Sequence, residues 1–585
     1  MKELFYLNKF LLKNKFRLLL GIVVAFCSRI FAVTVPKYVA NCIADLEQFV
    51  QSDRSDIQLT ALKSNLFSHI LWLIAAAALS GFFMFLVRQC FIVVSRHIEY
   101  DLKNEIYDHY QKLSTSFYKQ HQIGDLMNRI SEDVTKVRLY VGPAIMYSVN
   151  TLSLFIIAIS YMVSTAPKLA LYALAPLPFL SVIVYTLSKI INKRTSKVQE
   201  SLSELTATAQ EIFSGIRVIK AYSKQKFSAT IFNSHADDLK NKNIRLTKVQ
   251  ALFMPMMILL IGCSNIVVIY IGGQQYINGE IPNFGILVSF ILFINMLTWP
   301  VATVGWVSSM VQQADASQKR INTFLKTNAF ISFPEDAPKV SLNSQVRFDN
   351  VSFTYPESGT QALKNISFTL KKGQTLGIIG HTGSGKTTLL ELLVRSYDPT
   401  EGQVIIDDHV LDQIDLTTFR KKIAYVPQDA FLFSDTIFNN IAFSLPTADL
   451  EAVKKAADAA YVAHDIERFK DGYDTLLGER GVTLSGGQRQ RVSIARALLR
   501  PSELLLLDDC LSAVDQKSEK QIQSNFKVFP TKVVVSHRVS SVRDADLILV
   551  LKQGEIIEQG THQNLVETGG YYCKLFKKQQ NFKEN

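Results

Sequence analysis

Six apolar stretches crowd into the first half of this chain, at 18–35, 70–87, 145–162, 169–184, 251–271 and 284–306. A helix needs about 20 apolar residues to cross a bilayer, and each stretch reaches that length once its flanks are included. In lipid every backbone polar group must be satisfied within the segment, so these stretches have to be helices. An even number of spans puts both ends of the membrane half on one side.

Charge placement says which side. The segment 96–142 holds Arg96, Lys103, Lys112, Lys119, Arg129, Lys136 and Arg138, and 191–250 is richer still. The opposite loops hold Arg54 and Lys63, then Lys168, then none between Gly273 and Asn283. Basic residues mark cytoplasmic loops, so both termini are expected in the cytoplasm. The formal net charge of +12 is largely explained by this topology, and no nucleic-acid partner is needed. The expected partner surface is a lipid bilayer, the cell's inner membrane.

The two basic segments have few Gly or Pro and read as long helical hairpins. At about 1.5 Å per residue, two ~23-residue arms reach roughly 35 Å below the membrane. Such arms need something to touch. Phe117 and Tyr118 at the first tip, and the run "GIRVIKAY" (215–222) in the second, are candidate contacts with a soluble domain. The alternative is ordinary packing between helices.

Three charges sit in or beside the spans. Snorkelling to water near an interface fits Lys37 well and Arg88 in part, so Arg88 stays open as a cavity residue. Arg29 is the candidate to line a cavity, because a charge at membrane depth usually faces water or a partner. Pro176, Pro178, Pro255 and Pro300 are expected to kink their helices. The first residues, "MKELFYLNKFLLKNKFR", lack a small-residue cleavage site and read as an amphipathic helix lying on the membrane surface. Cys27, Cys42, Cys90, Cys263, Cys510 and Cys573 form no Cys-x-x-Cys pair, so neither a disulfide framework nor a zinc site follows.

The second half reads as a soluble α/β domain. The membrane domain is expected over 1–325, a polar linker with Pro334 and Pro338 over 326–344, and the soluble domain over 345–585. There, "LGIIGHTGSGKTTLLELL" runs from an apolar strand through Gly380, His381, Thr382, Gly383, Ser384, Gly385, Lys386, Thr387 and Thr388 into a helical pattern. This is a phosphate-binding loop in strand–loop–helix context. Its glycines let backbone N–H groups close on phosphates, and the helix N-terminus adds positive potential. Lys386 is suited to the β- and γ-phosphates of ATP and Thr387 to Mg²⁺. Farther on, the apolar strand "LLLL" ends in Asp508, a second Mg²⁺ ligand, beside Asp509.

Between these lies "LSGGQRQR", 484–491, preceded by "GERG", 478–481. With these motifs in this order the chain resembles the ABC transporter superfamily, specifically a half-size exporter with six spans fused to one nucleotide-binding domain. The implied fold is an all-α transmembrane domain followed by an α/β P-loop ATPase domain. By the same resemblance Tyr355 stacks on adenine and Gln428, in "YVPQD", senses Mg²⁺ and γ-phosphate. His537, in "VVVSHR", contacts the γ-phosphate, and "SAVD", 512–515, lies at a dimer contact. Family members sandwich two ATPs between two such domains. Ser485, Gly486, Gly487 and Gln488 would serve the ATP held by the partner's loop, so a second half-transporter is implied.

One departure stands out. The family normally has glutamate after the Mg²⁺-holding acid, to polarise the attacking water. Here it is Asp509, shorter by one methylene, about 1.3 Å of reach. An error near 1 Å can cost ~10²-fold in rate. An intact "LSGGQ" beside a shortened base resembles one subunit of heterodimeric multidrug-type exporters with a degenerate site. The intact His537 argues the other way, and a homodimer stays open. The expected activity is ATP hydrolysis coupled to export of a hydrophobic or amphipathic small molecule, lipid or peptide. A homodimeric lipid flippase and an ATP-gated channel or sensor are the alternatives.

Overall fold

The computed structural model describes all residues except Met1, 53–54, 329–330, 332–336, 479–480, 482–483, 513, 515 and Asn585, with backbone alone at 177, 180, 181, 184, 302, 516, 517 and 581–584. Parts of "GERG", of "SAVD" and of the linker, including Pro334, therefore lie outside the described residues. The chain forms two compact units, Met1–Gln111 with Gly124–Thr327, and Lys112–Ile123 with Asn328–Asn585.

The first unit is helical. Among the described residues, five helices are long and apolar enough to cross a membrane: Lys15–Gln51, Asp56–Lys112, Ile123–Thr165, Gln225–Ile277 and Gly285–Leu325. The fourth apolar stretch, expected as one span, is divided at Ala175 into helices Pro167–Leu174 and Pro176–Ser214. Pro176 has no N–H to donate and its ring crowds the preceding turn, so the helix restarts there. Pro255 and Pro300 sit inside helices that continue through them.

Small residues set the close approaches. A Cβ at Gly285 would collide with the Ala40 carbonyl oxygen. The first two long helices are tied by a reciprocal pair of hydrogen bonds: Ser28 Oγ donates to the Ser80 carbonyl at 3.1 Å, and Ser80 Oγ to the Ser28 carbonyl at 3.2 Å. A core of Leu154, Ala158, Met162, Leu169, Phe290 and Phe293 joins the later helices.

The N-terminal segment packs partly on protein. It forms a 3-10 turn, Glu3–Leu7, and a helix, Asn8–Lys13, whose Leu4, Leu7 and Phe10 are buried against protein. The turn packs on the helix Gly285–Leu325, and Asn322 Nδ2 donates to Glu3 Oε2 at 2.8 Å. Lys9 pairs with Glu105 at 2.7 Å and Lys13 with Asp101 at 3.0 Å. An amphipathic pattern demands an apolar cover; the protein covers Leu4, Leu7 and Phe10, while Phe5 and Leu12 stay exposed.

The second unit holds two sheets. One is antiparallel, in the order β2-β1-β4-β5, with β1 Gln345–Thr354, β2 Gln361–Lys371, β4 Glu401–Ile406 and β5 His409–Val410. The other runs β10-β9-β3-β8-β7-β6, with β3 Thr375–Gly380, β6 Ile423–Val426, β7 Leu504–Asp508, β8 Thr531–Ser536, β9 Leu547–Lys552 and β10 Glu555–Gly560. Strands β3, β6, β7, β8 and β9 are parallel, and β10 closes the edge antiparallel.

A parallel sheet is covered on both faces, so its strands read as unbroken apolar runs. Leu504 and Leu506 enter the core with Leu376, Ile378, Val533 and Val535. Leu505 and Leu507 point the other way, to Ala424 and Val426. The carboxyl ends of β3 and β7 therefore open at the same edge, where α/β sheets bind ligands.

Candidate nucleotide site

The loop after β3 turns on two glycines. Gly383 and Gly385 have φ of +79° and +95°, a region other residues rarely adopt. A Cβ at Gly385 would meet the Ala362 carbonyl oxygen at 2.5 Å, whereas at Gly383 it would meet nothing within 4 Å. Gly385 thus permits the packing of loop on sheet, and Gly383 leaves open space. The helix Lys386–Leu393 begins directly after the turn.

A cleft of about 500 Å³ lies over this loop, lined by Tyr355, Thr382, Gly383, Gly385, Lys386, Thr387, Thr388, Gln428, Asp508, Asp509 and His537, among others. Sequence positions as far apart as 355 and 537 meet here. Gly380 and Ser384 are buried behind the loop, and the Ser384 hydroxyl has no hydrogen-bond partner. His381 lies at the edge against Tyr571, ring centroids 5.6 Å apart.

Ser485, Gly486, Gly487 and Gln488 do not line this cleft. They begin the helix Gly486–Leu499. There the Ser485 side chain accepts the Gln488 N–H, and the Gln488 side chain accepts the Ser485 N–H at 3.0 Å. This capping box fixes the helix start and satisfies two of its otherwise free donors.

Charge in the cleft is closely balanced. Lys386 Nζ donates to the carbonyls of Gly380 at 3.0 Å and His381 at 2.8 Å. Burial lowers its pKa, opposed by Asp509 and Asp508. Burial raises that of Asp508, opposed by the hydrogen bond from Thr387 Oγ1 to its Oδ1 at 3.2 Å. Burial and the nearby Lys386 hold His537 below its ordinary 6.5.

Asp509 takes a left-handed backbone, φ +42°. Aspartate tolerates this region better than longer side chains because it can bond locally. Its Oδ1 accepts the backbone N–H of His537 at a long 3.5 Å.

Tyr355 is held from below. Its hydroxyl is 2.8 Å from Thr388 Oγ1 and donates to Glu391 Oε2 at 2.8 Å. Burial raises its pKa far above the usual range, so it stays a neutral donor. Sequence reading missed what lies beyond this. Lys119, on the short helix Thr115–Gln120, has its Nζ 3.2 Å from Glu391 Oε1. It also lies 5.2 Å from the Tyr355 ring centroid and 5.0 Å from that of Tyr397. On the same helix Phe117 is 3% exposed and stacks on His121 at 4.1 Å. Glu391 stands one turn beyond Thr387 on the loop's helix, a spacing that could have signalled it. Nothing local marks Lys119. The other tip forms the helix Ile216–Ala221, with Val218 and Tyr222 exposed.

Comparison with known proteins agrees with this geometry. Residues 18–301 match the ABC transporter transmembrane region and 363–512 the ABC transporter domain. The multidrug resistance-like ATP-binding protein MdlA of Escherichia coli is 35% identical over 525 residues, covering 87% of this chain and 88% of the relative. An ATP-dependent lipid A-core flippase of Pseudomonas fluorescens is 34% identical over 509 residues, covering 86% and 84%. A solved bacterial Atm1-family ABC exporter with ATP bound superposes with a TM-score of 0.78 at 25% identity, covering 96% of this chain and 99% of that one. The chain belongs to the ABC transporter family, as a half-size exporter that joins a membrane-spanning region to a nucleotide-binding ATPase domain.

Proposed function

We propose that two such chains, this one and a second half-transporter, use ATP to expel a hydrophobic or amphipathic compound from the cytoplasm or inner leaflet of the cell's inner membrane. Residues 1–325 form the membrane domain, 326–344 the linker and 345–585 the ATPase domain, with both termini in the cytoplasm. The observation that carries this reading is the division of the site. One cleft gathers Lys386, Thr387, Gln428, Asp508 and His537, while Ser485–Gln488 start a helix outside it. One chain therefore holds half of each of two sites, and closure of the pair on ATP is the power stroke.

The residues fit a magnesium nucleotide. The loop leaves the buried Ser384 hydroxyl without a partner, and Thr387 and Asp508 offer the hard oxygen set that Mg²⁺ prefers. Gln428 completes that set through its amide oxygen. Bound there, the ion would neutralise charge on the phosphate oxygens. Tyr355 presents its ring to adenine, Lys386 meets the phosphates, and neutral His537 offers a hydrogen bond near the γ-phosphate. Asp509 orients water, from a position one methylene short.

That shortening, beside an intact Ser485–Gln488, favours a heterodimer in which the partner brings the stronger base. A homodimeric lipid flippase is the second reading, favoured by the 34% identity to lipid A-core flippases. Uptake into inside-out vesicles separates a pump from an ATP-gated channel. The pump accumulates substrate against a gradient with ATP, and Lys386→Ala in both subunits abolishes it. Equilibration without accumulation would overturn the proposal.

A further inference from the structure

We infer that Arg29 and Asn150 form a recognition site for an anionic headgroup within the membrane helices. The inference rests on the exporter reading and names the substrate class for it.

At about 1.5 Å per residue, Arg29 lies roughly 18 Å beyond Arg17 along its helix. The hydrocarbon core is ~30 Å thick, so this is membrane depth. Arg29 is not on the lipid side. One turn before it Ala25 packs in a cluster with Met146, and one turn after it Val33 packs in a cluster with Leu154. Asn150 lies one turn after Met146 and one turn before Leu154. Both residues therefore stand at one level between two apolar clusters.

Each carries one unsatisfied polar atom. Arg29 Nε and Asn150 Oδ1 are buried without hydrogen-bond partners, and Asn150 is only 6% exposed. Among the described residues no carboxylate pairs with Arg29. The neighbouring hydroxyls are engaged: Ser153 Oγ donates to the Val149 carbonyl at 2.7 Å and Ser28 Oγ to that of Ser80.

A guanidinium in apolar surroundings without a counter-ion is costly, and such residues mark ligand pathways. The chemistry that satisfies both groups is an anionic oxygen for Arg29 beside a hydroxyl or amide donor for Asn150. An anionic amphiphile meets this; a cationic drug leaves Arg29 unpaired and repelled. Arg88 makes a contrast. It is exposed, and the contact of Gly21 with Cys90 and Phe91 sets it near the cytoplasmic end of the first span, where it can reach water.

The test is ATP-driven uptake by inside-out proteoliposomes holding the assembled dimer. The probes are dansyl-amide amphiphiles with one alkyl chain, ending in carboxylate or in trimethylammonium. Wild type should prefer the anion. Arg29→Gln should lower the anion-to-cation uptake ratio at least tenfold, Arg29→Lys should keep part of it, and Asn150→Ala should lower it severalfold. Arg88→Gln should leave the ratio unchanged. A misfolded variant would lose both probes together, which the ratio exposes, and Arg29→Lys then decides. If wild type moves the cation alone, or Arg29→Gln leaves the ratio as it was, this site falls while the exporter stands. If wild type moves neither probe under ATP, both readings fall.

Discussion

Lys119 and Glu391 form an ion pair at 3.2 Å, and the same carboxylate accepts the hydroxyl of Tyr355 at 2.8 Å. The helix bearing Lys119 follows the long helix Asp56–Lys112 after two residues. A residue on the thread from the membrane helices thus shares an acceptor with the aromatic ring facing the cleft. The pair is partly exposed, which limits it to about 1 kcal/mol or less. Lys119→Met should raise the KM for ATP up to about fivefold and blunt stimulation of ATPase by transported compound, with little change in basal kcat. An unchanged KM with unchanged stimulation would rule the link out.

Asp509 sets the second prediction. Asp509→Glu restores about 1.3 Å of reach, and even with strain from the left-handed backbone it should raise ATP turnover at this chain's site by ten- to a hundredfold. Steady-state ATPase of the purified chain, alone and with its partner, measures it. Brisk hydrolysis by wild type alone, unchanged in the variant, would count against a degenerate site.

Lys386 lies among carbonyls that hold its ammonium at the loop. Lys386→Ala should weaken ATP binding at this chain's site by more than tenfold, read with a fluorescent nucleotide analogue. Gly385→Ala should go further: the new methyl group collides with the Ala362 carbonyl. Loss of the ATP-induced rise in Tm would report the damaged loop.

His537 gives a pH signature. Its folded-state pKa lies below 6.5 because of burial and Lys386. Between that lowered value and 6.5 the unfolded chain binds a proton that the folded chain does not. Stability from this residue therefore falls as pH falls through that window. The drop in Tm of the nucleotide-free protein from pH 7.5 to 5.5 should be smaller in His537→Gln than in wild type.

The nucleotide cleft was legible because its signals are contiguous. A strand, a Gly-rich turn and a helix follow one another over 375–393, and the acid-ended strand at Asp508 is one uninterrupted apolar run. Tyr355, Gln428 and His537 were found only through the family resemblance, since each stands alone in its local sequence. Lys119 escaped because its partner, Glu391, is far off in the chain and a surface lysine carries no periodic signal. The N-terminal helix reads as amphipathic, but periodicity does not say which of its apolar residues the protein covers, Leu4, Leu7 and Phe10, and which it leaves exposed, Phe5 and Leu12. The break at Ala175 followed from Pro176, although hydropathy alone read one span.

The mutual serine clasp between Ser28 and Ser80 also bears on motion. Each hydroxyl spends its proton on the neighbouring backbone, not on its own, so prying these two rods apart would break two hydrogen bonds between them. They should swing as a single plank. A disulfide engineered at Ser28→Cys with Ser80→Cys would then leave pumping intact, whereas a staple between helices that must part would jam it.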